Sequence, residues 1–333
     1  MTGRCARALS LGLLLMPALL AAPPSAAPQA TKLRIGSSLS PPALDAILPH
    51  VALEGGFFRK QGLDVQVLEF RGGATNMKAL LAGDVAVTQI GATDVMVAAS
   101  KGAKVRLVFV SAPVQPFHFV ARKEVATTLQ GLVGKTIAVS GIGALSYHIP
   151  RMVLQGAGVD PDGVKYTALG SPADRFKALL AGKVDATMVL SAEAAKLQRY
   201  PEIVSLVQVS KALPEVPYEF VIAKEDFIEK NPDTMLGLTR ALAEANRWIA
   251  ANKAGTVAIA ARVMKEEAPE TIASAYDLID PRFWGANGEI SDAAYRFTAD
   301  FLAKVGYLKD PVPLERLFDR RFLDRALRDL GRR

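Results

Sequence analysis

Few side chains in this sequence can do covalent chemistry. Its three histidines, His50, His118 and His148, show neither the His-x-x-x-His nor the His-Glu-x-x-His spacing that holds zinc on one helix face. Its single cysteine, Cys5, excludes internal disulfides, Cys-based zinc sites and paired-thiol redox chemistry. No two carboxylates stand at a spacing that signals acid–base work. The sequence assigns no catalytic residue, no metal ligand and no cofactor. What it offers is a set of short segments rich in hydroxyls and glycine, each where a strand hands over to a helix. Ligands of open α/β sheets sit beyond the carboxyl ends of the strands. That rule selects Ser37 and Ser38, Gly73 and Thr75, then Gly91, Ala92 and Thr93, and Ser111. Farther along it selects Gly141, Gly143 and Ser146 within SGIGALS, then Ser171, and Ser191 with Glu193. Backbone N–H groups at such turns point outward and attract anions. None of these segments contains Arg or Lys, so the expectation is an anion held by hydroxyls and backbone dipoles without a counter-ion. For each Ser or Thr the competing reading is a helix N-cap that touches no ligand. Tyr147, beside a helix start, and Tyr218 are read as covers for an apolar or aromatic part of a ligand. Glu193, if it points inward, calls for an amine or another donor on that ligand. The Gly-Ile-Gly run is not a dinucleotide motif, because Ser146 stands where the third glycine belongs.

The elements that must position these residues alternate. Strand-like apolar runs at 32–38, 64–70, 85–90 and 104–110 are separated by helical periods at 43–61, 74–82 and 92–101. The pattern restarts with strands at 135–140, 164–169 and 184–190 and helices at 145–155, 173–180 and 192–198. This is the signature of parallel βαβ units, hence an α/β fold. From about residue 227 the spacing turns helical, at 231–252, 254–265, 269–278, 292–305 and 314–330. At 333 residues, 50% hydrophobic and 22% charged, the chain suits roughly two domains. Charges of both signs intersperse on the last helical stretch, which reads as a solvated face rather than a nucleic-acid patch.

Residues 1–27 read as a secretory signal peptide: Arg4 and Arg7 precede an apolar run at 8–22 that is shorter than the ~18–20 residues of a membrane span. Its removal takes the formal net charge down by two from +7 and removes Cys5. A chain without thiols suits an oxidising, periplasmic location.

KALLAGDV (78–85) and KALLAGKV (177–184) lie 99 positions apart, each closing a helix with Gly before a strand. Equivalent halves follow, with the glycine as a left-handed C-cap. The runs 117–122 and 218–224 flank the second half, which is therefore inserted into the first. The division expected is 31–117 for the first part of lobe one, 118–218 for lobe two, and 219–333 for the return crossing and helical completion of lobe one.

The runs EGGFFRKQGLDV (54–65), Gly72-Gly73 and ALLAGDVAV (79–87), with LQGLVGKTIAV (129–139), LLAGKVDA (179–186) and FIEKNPDTM (227–235), resemble the solute-binding proteins of ABC importers. The branch is that of nitrate, sulfonate and taurine binders, which includes thiamine-pyrimidine binders, and the resemblance covers about 33–330. It implies a type II periplasmic-binding fold, two α/β lobes joined by two crossover strands that close over a small molecule. It further implies a receptor serving the permease and ATPase of an ABC importer. A monomer without nucleic-acid partners is expected. Nitrate, a sulfonate, a carboxylate and a pyrimidine remain open as ligands. An enzyme of the same fold, acting on a pyrimidine or menaquinone-precursor type of substrate, is the alternative.

Overall fold

The computed structural model describes residue 2 and residues 30–333 other than 266. The leader and Cys5 lie outside the described residues. Among the described residues ten strands form two five-stranded sheets. The first holds β1 (Thr31–Ser37), β2 (Leu63–Glu69), β3 (Val87–Gly91), β4 (Val105–Ala112) and, from far along the chain, β10 (Glu219–Lys224). Its order is β2-β1-β3-β10-β4. The second holds β5 (His118–Arg122), β6 (Thr136–Val139), β7 (Lys165–Ala168), β8 (Ala186–Val189) and β9 (Ile203–Gln208), in the order β7-β6-β8-β5-β9. The two orders are one topology used twice. In each, three strands pair in parallel and the fourth position is an antiparallel strand, β10 or β5, that reaches its sheet after the chain has passed between lobes. Registers agree too: Ser37 faces Glu69 as Val139 faces Ala168, and Gly36 faces Thr88 as Ala138 faces Thr187.

The inner strands are buried on both faces, which is why they read as apolar runs rather than as alternation. The long helix Pro232–Ala251 belongs to the return segment and lays a stripe of Met235, Leu238, Leu242, Ala245 and Ile249 into the core. Burying a Leu or Ile side chain of that stripe contributes about 1.5–3 kcal/mol. The repeated glycines Gly83 and Gly182 turn the chain with φ of +87° and +67°, where a Cβ would be strained.

Three expectations need correction. The helical stretch 43–61 is broken into Leu44–Ala46, Leu48–Glu54 and Phe57–Lys60, because Gly56 takes a left-handed φ of +73° between the last two. The stretch 314–330 divides into Leu314–Leu317 and Arg321–Leu330. Between them Phe318 bridges to Leu107 and the Asp319 N–H donates to its carbonyl at 2.9 Å, covering the edge strand β4. The apolar pattern assigned nothing to 203–208; β9 forms there because β5 offers it an open edge. Among the described residues no helix is long and apolar enough to cross a membrane.

Candidate functional site

The carboxyl ends of both sheets face one another across a cleft, and the lobes stand closed. Asp45 of lobe one accepts from the Ser191 hydroxyl of lobe two with both oxygens at 2.8 Å. Arg71 and Asp174 form an ion pair across the mouth at 2.6 Å. Tyr307, from the return segment, sets its ring edge-on to His148 with centroids 4.3 Å apart.

The cleft holds a cavity lined from both lobes. Of the residues selected from sequence, Ser38, Gly73, Gly91, Ser146, Ser171 and Tyr218 line it. Ser37, Ala92, Thr93 and Ser111 are buried outside its lining, Ser111 donating to the Glu219 carbonyl at 2.9 Å. Thr75, Gly141, Gly143 and Tyr147 also fall outside it. Thr75 is exposed and donates to the Gly72 carbonyl, while Tyr147 packs edge-on against Tyr166 and Tyr307. Ser191 is held by Asp45. Glu193 lines an adjoining cavity that shares Leu39, Ser171 and Pro172 with the first. Burial raises the Glu193 carboxyl, and its Oε2 has no hydrogen-bond partner among the described residues.

The hydroxyls in the cavity serve their own lobes. The Ser38 Oγ donates to the Gln89 carbonyl and accepts from Asn76. The Ser146 Oγ bonds the Ser140 N–H at 2.8 Å and the Ser140 hydroxyl at 2.7 Å.

The expected absence of a cation is overturned. Arg71 and Arg175 both line the cavity. Arg175, in the first turn of the helix Pro172–Leu180, is 1% exposed. It donates to the Gly170 carbonyl at 2.8 Å and toward that of Met188 at 3.4 Å. Its Nε finds no partner among the described residues, and no carboxylate among them stands within ion-pair distance. Burial pulls its pKa down to about 10, so it remains a cation at neutral pH. A buried cation without a close counter-charge is costly, and the start of a helix disfavours it further. That misfit with the helix dipole was the one local signal that could have found Arg175.

Two carboxyls complete the lining. Burial pushes Asp94 up to about 7, against the Leu145 backbone N–H that pulls it back. Glu219 is pushed to about 8, first by burial and then by Asp45 and Asp94, while its bond from Gln89 opposes the shift. Glu219 was visible in sequence as an acid inside the apolar run YEFVIAK; Asp94 reads as an ordinary helix-start acid. The histidines do not meet. His50 stands 3.6 Å from Glu69, His118 opens β5, and His148 bonds the Gly143 carbonyl at 2.9 Å. Burial pulls His50 and His148 down to about 4. At neutral pH both are uncharged.

A sequence profile described as NMT1/THI5 like matches residues 47–255. A Bacillus subtilis binding protein, YtlA, is 22% identical over 289 residues, covering 83% of this chain and 85% of that protein. The taurine-binding periplasmic protein of Escherichia coli is 23% identical over 196 residues, 59% of this chain and 61% of its own length. Among solved structures, the periplasmic nitrate-binding protein NrtA of Synechocystis superposes with a TM-score of 0.79 at 17% identity, covering 92% of this chain and 90% of that one.

Proposed function

Starting from the fact that the chain belongs to the NMT1/THI5-like family, we propose that it is an extracytoplasmic receptor. It takes a small acidic organic solute between its lobes and delivers it to the permease of an ABC importer. The observation that carries the acidic reading is Arg175, a buried guanidinium whose Nε lacks a partner among the described residues and which lines a cavity shared by both lobes. A carboxylate or sulfonate placed there supplies the missing counter-charge and accepts a charge-assisted hydrogen bond. Lobe one comprises 31–117 and 219–333, lobe two 118–218, and residues 1–27 direct export to the periplasm. With the lobes apart, the cavity walls separate and the solute can enter. Solute bound to both walls stabilises the closed state by its differential affinity for it. Closure then presents the permease with a surface that the open form lacks. The carboxyls Asp94 and Glu219 are binding groups in this reading, and the receptor turns nothing over.

Thermal-shift screening of small acids, amines and pyrimidines, followed by native mass spectrometry of the purified protein, tests this. Stabilisation by a carboxylate or sulfonate is expected, and it should disappear in Arg175→Gln. Stabilisation only by cationic or neutral amines would refute the acidic reading.

A further inference from the structure

Asp94 lines the cavity between the lobes. It stands in the first turn of the lobe-one helix Ala92–Ser100. A Cβ on Gly73, the first residue of the helix Gly73–Ala82, would overlap its Oδ2, and a Cβ on Gly91 would stand 2.7 Å from the same atom. Beside it stands Leu145, the first residue of the lobe-two helix Leu145–Gly156, whose own Cβ would be 3.1 Å from the same added Cβ on Gly91. The starts of two helices, one from each lobe, thus close on a carboxyl that belongs to the protein. Glycine at 73 and 91 leaves room for it.

Arg175 is an independent observation in the same cavity. It is fully buried, its Nε has no partner among the described residues, and it lines the cleft. The charges stand on opposite walls: Asp94 and Glu219 come from lobe one, on the helix Ala92–Ser100 and on β10, whereas Arg175 comes from lobe two, on the helix Pro172–Leu180.

We propose that Asp94 determines the specificity of the cleft: its carboxyl fills the cradle between the two helix starts, so a solute must place its acid group on Arg175 and a hydrogen-bond donor, an amine or hydroxyl, on Asp94 and Glu219. This rests on the acidic-solute reading and narrows it to acids that carry a donor at the far end. Small inorganic anions and simple alkyl acids bring no donor for Asp94 and Glu219, whose buried carboxyls then lose their bonds to water without replacement. An approaching ammonium group keeps Asp94 ionised and gains a charge-assisted bond.

Matched solutes separate the possibilities. Propane sulfonate and butyrate are compared with their terminal-amino derivatives, with propylamine, and with nitrate, sulfate and acetate. Calorimetry and thermal shift are run on the wild type and Asp94→Ala. The wild type should bind the amino acids and reject the parent acids. Asp94→Ala should lose that preference and bind a small anion about tenfold more tightly than the wild type does. If the parent acids bind the wild type as well as their amino derivatives do, the specificity inference falls while the acidic reading stands. Binding of propylamine alone removes the acidic reading itself. No gain of small-anion affinity in Asp94→Ala also overturns the inference. Should Asp94→Ala fail to fold, Asp94→Asn, which keeps the volume, must still lose the preference for the amino derivatives.

Discussion

The 99-residue step of the repeat carries Asn76 of lobe one onto Arg175 of lobe two, and Gln89 onto Met188. The equivalence is physical. The Asn76 amide donates to the Gln89 carbonyl at 2.9 Å, and the Arg175 guanidinium donates toward the Met188 carbonyl at 3.4 Å. Beyond that shared contact the lobes part. Asn76 also donates to Ser38 and accepts from Thr88, and a Cβ on Gly36 would collide with the Asn76–Thr88 pair. Lobe two has Ala138 at the equivalent of Gly36, and Thr187 bonds the Ala138 carbonyl instead. In one lobe the first turn of the helix is a closed polar network with no capacity for a ligand. In the other it is a cation whose Nε has no partner among the described residues. One scaffold therefore carries a closed polar network at this position in lobe one and a cation at the equivalent position in lobe two. The carboxyls Asp94 and Glu219 come from lobe one and line the same cavity as the cation of lobe two.

This contrast can be broken at four points. The largest effect should follow Asn76→Ala, which leaves Ser38, Thr88 and the Gln89 carbonyl short of partners. Denaturant unfolding should show a loss of about 2–4 kcal/mol, while the folded fraction binds solute as before. Arg175→Gln should do the opposite. Unfolding in the absence of solute should change little, and calorimetry should show affinity reduced about 10- to 150-fold, the measure of one bond to a charged group.

The third test is pH. Burial raises Asp45 from 3.8 to about 7, Asp94 from 3.8 to about 7 and Glu219 from 4.5 to about 8. A raised carboxyl binds a proton in the closed form that it has lost in the open or unfolded one. The contribution is fully present below about pH 4, is lost as pH rises through 7 to 8, and is flat above. Asp45 faces Ser191, Glu193 and Glu219, and none of these offers it a cation. Asp45→Asn should therefore flatten the decline of the melting midpoint between pH 4 and 8, with a gain of roughly 1–2 kcal/mol at the upper end. A decline as steep as that of the wild type would remove Asp45 from the account. The smallest effect belongs to Arg71→Ala. The Arg71–Asp174 pair is exposed, and such pairs are worth about 0–1 kcal/mol. Scattering should show the apo radius of gyration rising slightly, and raised salt should reproduce that change in the wild type.

Much of this molecule was legible one element at a time. Apolar β-branched runs between helical periods defined the parallel strands of both sheets, and the two KALLAG segments showed that the halves are equivalent. Those signals are local, because a buried parallel strand must be apolar and a helix that turns back to its sheet needs a residue tolerant of positive φ. The breaks at Gly56 and Phe318 were less legible, since a helical period persists across a short interruption.

The candidate site divides along the same line. Local order placed Ser38, Gly73, Ser146 and Ser171 at strand ends, and they line the cavity. It did not show that Ser38 and Ser146 bond within their own lobes, nor that Arg175 and Asp94 line one space although separated by most of lobe two. By itself the sequence determined the α/β alternation, the duplicated scaffold and the strand ends where a ligand would meet it, because these follow from periodicity and backbone geometry. Only the tertiary structure decided which charged side chains face the cleft. A side chain at a helix start can turn toward its own lobe or the other, and the packing of two lobes against each other, which no local pattern encodes, makes that choice.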